Sequence, residues 1–284
     1  MAILLGIDTG GTYTDAVLMR DEDAVIASAK SPTTRHDLAI GIGNAVQAVL
    51  EASKVDPAKI AMASLSTTLA TNALVEGQGA RIGLIYIGFA ERDLASQGLG
   101  EALAGDPALV IAGGHSHSGG EVAALDLSAI GDWAKAQDVS AFAIAAQFAT
   151  RNPAHEVVAR QVVREFTQKP VTCSHELSAK LGGPKRALTA VLNARLIGLT
   201  HRLIGRAEEA LTSFGIEAPL MVVRGDGALL SAEQAKERPI ETILSGPAAS
   251  IEGARWLTGA QIGLVSDIGG TTTDIALLQN GRPR

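Results

Sequence analysis

The octet Asp-Thr-Gly-Gly-Thr-Tyr-Thr-Asp fills residues 8–15, and Asp-Ile-Gly-Gly-Thr-Thr-Thr-Asp fills residues 267–274. Apolar runs flank both copies, so each reads as a hairpin whose tip is almost bare backbone. Such a tip suits an oxyanion: glycine reaches positive φ and carries no Cβ to obstruct approach, so successive N–H groups converge on one anion. Thr12 and Thr14, with Thr271 and Thr273 in the second copy, add hydroxyl donors. A carboxylate repels a phosphate, so Asp8 and Asp267 fit this site only with a divalent cation or a positioned water between. Mg2+ suits the pair, because it keeps several waters and is shared between carboxylates and substrate phosphates. The expected site has Asp8 and Asp267 as catalytic groups and Mg2+ ligands, directly or through water. Around the phosphates stand Gly10, Gly11, Thr12, Tyr13 and Thr14, and their counterparts Gly269, Gly270, Thr271, Thr272 and Thr273. The competing reading is two ordinary tight hairpins in which Gly-Gly makes the turn and Asp and Thr cap it. The copies share six of eight positions, which favours one clamp built from two halves. No GxxxxGK[ST] sequence occurs, and Gly41-Ile42-Gly43 begins a dinucleotide fingerprint without completing it.

The elements that must hold these residues alternate between β and α. A meander is expected over Ile3 to Ile7, Thr14 to Met19 and Ala24 to Ala29, and then the apolar period lengthens. Leu38, Ile42, Val46, Val49 and Leu50 recur at helical spacing behind Asp37 as N-cap, giving a helix to about Lys54. Ile60 to Leu65 is strand-like, Ala70 to Leu74 helical, and Ile82 to Ile87 a buried strand. Residues 98–120 are glycine-rich and read as loops or a small insertion. Val139 to Ala146 reads as a strand, and Pro153 to Phe166 as a helix with proline in its first turn. A long helix opens at Gly182-Gly183-Pro184 and carries Leu188, Val191, Leu192, Leu199, Leu203 and Leu211 along one stripe. Leu220 to Val223 leads into the turn Arg224 to Gly227, and a helix runs from Ser245 to near Gly259. The second octet's hairpin closes the pattern.

Composition narrows the function. Of 284 residues, 46% are hydrophobic and 19% charged, a globular mix. The net charge is −6 and the 24 basic residues are scattered, which gives no footprint for nucleic acid or an anionic membrane. Cys173 is the only cysteine, so an intrachain disulfide, a thiolate-rich zinc site and a CxxC redox motif are all absent. The N-terminus lacks the features of a signal peptide, and no apolar stretch is long enough to cross a bilayer. A soluble, cytoplasmic protein is expected.

The paired hairpins resemble the phosphate 1 and phosphate 2 motifs of the actin, sugar kinase and heat-shock ATPase superfamily, with Ser245 to Ala254 in the place of its linking helix. Within it, the chain resembles the hydantoinase A and 5-oxoprolinase family. That family shows GGTFTD, TTxATNALxE, NPxHE, NAxL, a glycine turn, SGPA and DxGGTTTD in order. The matching stretches here are Gly10 to Asp15, Thr67 to Glu76, Asn152 to Glu156, Asn193 to Leu196, Gly225-Asp226-Gly227, Ser245 to Ala248 and Asp267 to Asp274. One departure is Leu65-Ser66, where the family has His-Gly, so any role of that histidine is absent or moved.

The resemblance implies an α/β, ribonuclease H-like actin/sugar-kinase ATPase fold, with residues 1–259 as first lobe and 260–284 as the start of a second. It implies ATP and Mg2+ as cofactors, and ATP-dependent ring opening of a cyclic amide such as 5-oxoproline or a hydantoin through phosphorylation of the amide oxygen. A second hydantoinase-type subunit is the implied partner. The alternatives are an ATP-dependent ketone carboxylase subunit and a non-catalytic nucleotide-binding protein. The superfamily's adenosine loop follows the second phosphate hairpin, whereas this sequence stops at Arg284, so a truncated portion or completion by a partner is expected.

Other candidates carry two readings each. His115 and His117, at i and i+2, would share a face if extended and ligate a metal, but belong more simply to a glycine-rich loop. Thr67, Thr68 and Asn72 open a helix and would face substrate or phosphate, or else cap the helix. Asp226 is a nucleotide-side or water-positioning carboxylate, or a turn residue. Cys173 reads as a small buried residue, and Arg186, Arg195, Arg202 and Arg206 as a solvated helix face.

Overall fold

The computed structural model, which describes every residue except Met1, Arg35, His36, Gln78, Gly270, Thr271, Thr272, Gly281 and Arg284, opens with the expected meander. Strands β1 (Ile3–Thr9), β2 (Tyr13–Arg20) and β3 (Ala24–Pro32) run antiparallel in succession. Alternation sorts their side chains: Leu5, Ile7 and Thr9 of β1 and Thr14, Ala16 and Leu18 of β2 are buried on one face. Asp8 and Asp15, paired across the strands, lie on the other. Helix α1 (Leu38–Ser53) packs on the buried face, its first turn capped by Asp37, whose carboxylate accepts the Ala39 N–H at 3.1 Å. A Cβ on Gly41 would stand 3.1 Å from the Pro32 carbonyl oxygen, so this glycine serves close helix-on-sheet packing. Strand β4 (Ile60–Thr67) lies parallel to β1 with Ser66 opposite Asp8, and α2 (Leu69–Val75) follows.

Residues 77–198 form a compact unit of their own; residues 1–76 and 199–284 form the other. The 77–198 unit contains β5 (Ile82–Ile87), α3 (Leu99–Leu103), β6 (Ala108–Ile111), α4 (Leu127–Ala136), β7 (Ala141–Ala146), α5 (Ala154–Thr167), β8 (Val171–Cys173) and α6 (Ser174–Leu177). Its four strands are parallel in the order β6-β5-β7-β8. Strands β5 and β7 are buried throughout, which is why they read as unbroken apolar runs. Helices α4 and α5 cover one face. The other is covered by α3 and by Ala187, Ala190, Val191 and Ala194 of the 31-residue helix α7 (Gly183–Ser213). Residues 98–120, expected to be irregular, contain α3 and β6.

The α7 residues from Leu199 onward belong to the first unit, where Leu203, Ile204, Ala207 and Leu211 join the core formed by β1, β2 and α1. Each large aliphatic side chain buried there contributes about 1.5–3 kcal/mol before the entropy of ordering is subtracted. Strands β9 (Leu220–Val223) and β10 (Leu229–Ser231) complete a six-stranded sheet, β10-β9-β4-β1-β2-β3. Helix α8 (Ala232–Glu237) follows, and α9 (Ser245–Thr258) packs against β4 and β9. The second octet joins β11 (Ile262–Ile268) and β12 (Thr273–Gln279), which form a separate three-stranded sheet with β13 (Arg282–Pro283). The fold is mixed α/β, as expected. Among the described residues no helix is long and apolar enough to cross a membrane.

Of the arginines expected on a solvated face, Arg186 is buried and Arg195 is largely covered. Arg186 is 1% exposed and donates to the carbonyl oxygens of Ala146, Lys180 and Leu181. Arg195 pairs with Asp106 at 2.8 Å and donates to the Ala80, Ala102 and Leu103 carbonyls. A guanidinium's fork of donors satisfies several chain ends at once, so the two serve as ties between loops. Arg202 and Arg206 are exposed, as expected.

Candidate functional site

In the first hairpin the Gly10 N–H donates to the Tyr13 carbonyl at 2.9 Å, closing the tip. Gly10 is not at positive φ; its need for no side chain is steric, since a Cβ would lie 3.1 Å from that carbonyl oxygen. Thr33 straps the tip from β3's end: its N–H donates to the Thr12 carbonyl, and its hydroxyl donates to the Gly10 carbonyl at 2.9 Å. With that proton committed, the 3.0 Å contact between the Thr14 and Thr33 hydroxyls requires Thr14 to be the donor. The Thr14 hydroxyl is therefore buried and spent, and it is removed from the expected phosphate donors. Strand alternation, which sends Thr14 to the face opposite Asp8 and Asp15, is the reason. Thr12 and Tyr13 remain exposed at the tip.

Asp8 accepts a hydrogen bond from the Ser66 hydroxyl at 2.6 Å. Burial pushes its carboxyl above the usual carboxylate range; the Ser66 bond opposes this, Asp15 and Asp267 push further up, and Lys30 pulls down. Lys30 itself pairs with Asp15 at 3.2 Å.

The second hairpin repeats the register: Asp267 faces Asp274, and Ile268 faces Thr273. Asp267 accepts from the Ser250 hydroxyl of α9 at 2.5 Å. Asp274 has no hydrogen bond or ion pair among the described residues. Gly269 is exposed, and Thr273, on the face opposite the aspartates, is exposed as well. Gly270, Thr271 and Thr272 lie outside the described residues. Asp267 and Asp274 line a cleft of about 750 Å³ with Asp226, Ser250, Leu244 and Pro247. Asp8 is not in its lining, and it reaches the second hairpin through the charge of Asp267.

Two segments that the sequence separates by 178 residues turn out to be one joint. The Ser245 hydroxyl donates to the Thr67 carbonyl at 2.9 Å and accepts the Thr67 N–H at 3.2 Å. Thr67 is buried; its hydroxyl donates to the Thr9 carbonyl and accepts the Leu69 N–H, so it ties β1 to β4 and caps α2. Its expected contact with substrate is replaced by that structural one. Thr68 makes no capping bond through its side chain and lies against the start of α9, where a Cβ on Gly246 would fall 2.8 Å from its methyl group. The Asn72 side chain is half-buried on α2. Leu244 takes a left-handed conformation (φ 63°) just before α9, and its N–H donates to Thr71 Oγ1 at 3.0 Å. Asp226 is exposed and has both oxygens engaged, one by Arg224 at 3.0 Å and one by the Ala228 N–H at 3.1 Å. A Cβ on the neighbouring Gly225 would meet the Ile243 carbonyl oxygen at 2.2 Å, so the turn admits no other residue there.

Ser66, Ser250, Thr33 and Thr71 were missed by sequence reasoning. None belongs to a local pattern around the octets; each arrives through a contact between elements distant in sequence.

In the 77–198 unit the two histidines do not share a face. His115 is 2% exposed and packs with its ring tilted against His155, centroids 4.5 Å apart, whereas His117 is exposed, because a turn from Ser116 to Gly119 separates them. His155 Nδ1 accepts the Gly114 N–H at 2.9 Å, which assigns the ring proton to Nε2, the atom 2.9 Å from Glu121. Burial, then His155, pushes the His115 imidazole below its ordinary pKa. Glu156, Cys173 and His175 come close enough to suggest a metal. The carboxylate is already saturated, accepting from the Ala146 and His175 N–H groups, the Ser174 hydroxyl and His175 Nδ1. Burial holds the Cys173 thiol protonated. The cluster is a buried cap on α6, and Cys173 is buried as expected.

The site's donor set suits a hard divalent cation. Asp8 faces Asp15 across the first hairpin, with Lys30 on Asp15, and Asp267 faces Asp274 across the second; like charges opposite each other destabilise a sheet unless a cation intervenes.

Comparison with known proteins places the chain in a family. Residues 4–167 match the hydantoinase/oxoprolinase N-terminal region, and residues 186–284 match the hydantoinase/oxoprolinase family proper. The chain is 31% identical to the caprolactamase alpha subunit of Pseudomonas jessenii, over 98% of this chain and 44% of that protein. A crystal structure of the ATP-dependent caprolactamase from that organism matches with a TM-score of 0.79 at 29% identity, covering 96% of this chain and 43% of that one. The acetophenone carboxylase gamma subunit of Aromatoleum aromaticum is 30% identical over 96% of this chain and 42% of its own. A nucleotide-free acetone carboxylase structure shares the fold, with a TM-score of 0.82 at 23% identity over 99% of this chain and 44% of that one. The chain thus spans less than half the length of the relatives it matches, and it belongs to the hydantoinase/oxoprolinase family.

Proposed function

We propose that this chain is the ATP-using portion of an enzyme that opens a cyclic amide. The observation that carries the reading is the repeated hairpin: two strand pairs in the same register, each presenting a hydroxyl-bonded aspartate, with the charge of Asp267 felt at Asp8. In this reading the fold is that of the actin and sugar-kinase ATPases, residues 1–259 are the first lobe, and the separate sheet at 260–284 opens the second. The backbone N–H groups at Gly11 to Tyr13 and around Gly269 hold phosphates, and Thr12 adds a hydroxyl. Asp8 and Asp267 hold Mg2+, which when bound screens phosphate charge and orients the nucleotide.

The chemistry follows from the amide. Its nitrogen is a poor leaving group and its carbon a weak electrophile. When the amide oxygen attacks the γ-phosphorus, ADP leaves; water then adds to the O-phosphorylated carbon, the protonated ring nitrogen departs as the C–N bond breaks, and a second water hydrolyses the acyl phosphate to give phosphate and the ring-opened amino acid. Transfers of this kind depend on positioning and charge stabilisation more than on covalent catalysis by the protein. The substrate class is supported by the caprolactamase relative, and 5-oxoproline, hydantoins and lactams are the compounds to test. The acetophenone carboxylase relative supports a second reading, in which ATP activates a ketone for carboxylation. Completion by a further hydantoinase-type subunit is part of either reading, since the relatives are named as subunits. ADP release by the assembled enzyme, with a cyclic amide or with ketone plus bicarbonate, separates them. Turnover only with a ketone and bicarbonate would replace the first reading by the second.

A further inference from the structure

Each octet's first aspartate receives a serine hydroxyl, and its second does not. Ser66 Oγ donates to Asp8 Oδ1 at 2.6 Å, and Ser250 Oγ donates to Asp267 Oδ2 at 2.5 Å. The second aspartates differ: Asp15 pairs with Lys30, and Asp274 lacks a hydrogen-bond partner among the described residues. The serines come from unrelated elements. Ser66 is a strand residue placed opposite Asp8 by the β1–β4 register, and Ser250 lies in the second turn of α9, 17 residues before its aspartate. Both bonds are short and charge-assisted, the kind that fixes a carboxylate's rotamer.

We infer that Ser66 and Ser250 are the positioning residues of the paired site. Each commits one oxygen of its aspartate, so that Asp8 presents Oδ2 and Asp267 presents Oδ1 toward the cation that accompanies the nucleotide. The inference rests on the nucleotide reading above and adds to it the groups that set ligand geometry. Neither serine touches nucleotide or substrate; both act through the aspartates, as outer hydrogen-bond partners do at metal sites.

The test is calorimetric titration of ADP into the 284-residue chain, once with Mn2+ and once with EDTA, for wild type and for Ser66→Ala, Ser250→Ala, Ser66→Thr and Ser250→Thr. Each alanine variant is expected to lose about 10-fold in the Mn2+-dependent part of ADP affinity. Affinity in EDTA should stay at the wild-type level, the melting temperature should fall only by the loss of one hydrogen bond with the fold retained, and threonine, which keeps the hydroxyl, should restore most of both losses. Alanine variants with undiminished Mn2+-dependent affinity would overturn the inference while leaving the nucleotide reading intact. A loss equal with and without metal would also overturn it, because that marks a structural role. Wild-type chain without Mn2+-dependent ADP binding would overturn the placing of a working nucleotide site within these 284 residues, and this inference with it. Ser250 is half-buried on a helix, so its variants carry the test alone if Ser66→Ala fails to fold.

Discussion

The two hairpins share an octet and a register but not an environment. The first sits inside a six-stranded sheet with α1 across one face and Thr33 strapping its tip. The second belongs to a three-stranded sheet whose outer face shows Ile262, Leu264, Ile268, Ile275 and Leu277. Leu5 and Leu264 occupy equivalent positions, three residues before their aspartates, yet Leu5 is 1% exposed and Leu264 is 71% exposed. A local motif thus sets the pairing of strands and the direction of the aspartates, while burial is decided by chain far from the motif.

The largest effect that would sharpen this contrast is on the core. Leu5→Ala should cost about 2–5 kcal/mol in urea unfolding, whereas Leu264→Ala should stay within about 0.5 kcal/mol. Equal losses at the two positions would break the comparison. Next comes the strap. Thr33→Val leaves the Gly10 carbonyl and Thr14 hydroxyl without their partner and should cost about 1–3 kcal/mol, with hydrogen exchange rising at the first hairpin's tip and unchanged in β11 and β12.

Asp8 gives a smaller effect with a distinctive sign. Its carboxyl is held above its ordinary value of 3.8 in the fold, by burial first and then by Asp15 and Asp267. A group raised in the folded state favours folding below its unfolded value and loses that contribution as pH rises through the folded value. The metal-free chain should therefore lose stability as pH climbs from about 4, and Asp8→Asn should flatten that fall and raise the melting temperature at neutral pH. A lower melting temperature in the asparagine variant at neutral pH would contradict the assignment. The smallest effect is expected of Lys30→Met, which removes an exposed ion pair with Asp15 worth about 0–1 kcal/mol and screened by salt.

Much of this was legible in the sequence because it is written locally. Alternation in Ile3–Thr9, the Asp37 cap and the apolar runs of β5 and β7 state their own structure. What was illegible depends on a second element. Ser66 lies 58 residues from Asp8, and the register of a parallel pair, unlike that of a hairpin, is not set by a turn. Arg186 and Arg195 share a helix with Arg202 and Arg206, but the helix changes neighbours along its length, so one period of charge carries two burial outcomes. His115 and His117 have the spacing of a shared strand face, which the turn at Ser116 to Gly119 cancels. Thr14 was misplaced for the opposite reason: its phosphate role was drawn from the motif's composition, although alternation already sent it to the core.

The most direct test of the paired site is titration of MgADP into the 284-residue chain, beside Asp8→Ala and Asp267→Ala. Saturable binding by the wild type that falls at least 10-fold in each variant, with folding retained, is the result expected of one site built from both hairpins. Binding that survives either substitution undiminished would mean that the two hairpins are separate turns and that the nucleotide site lies elsewhere.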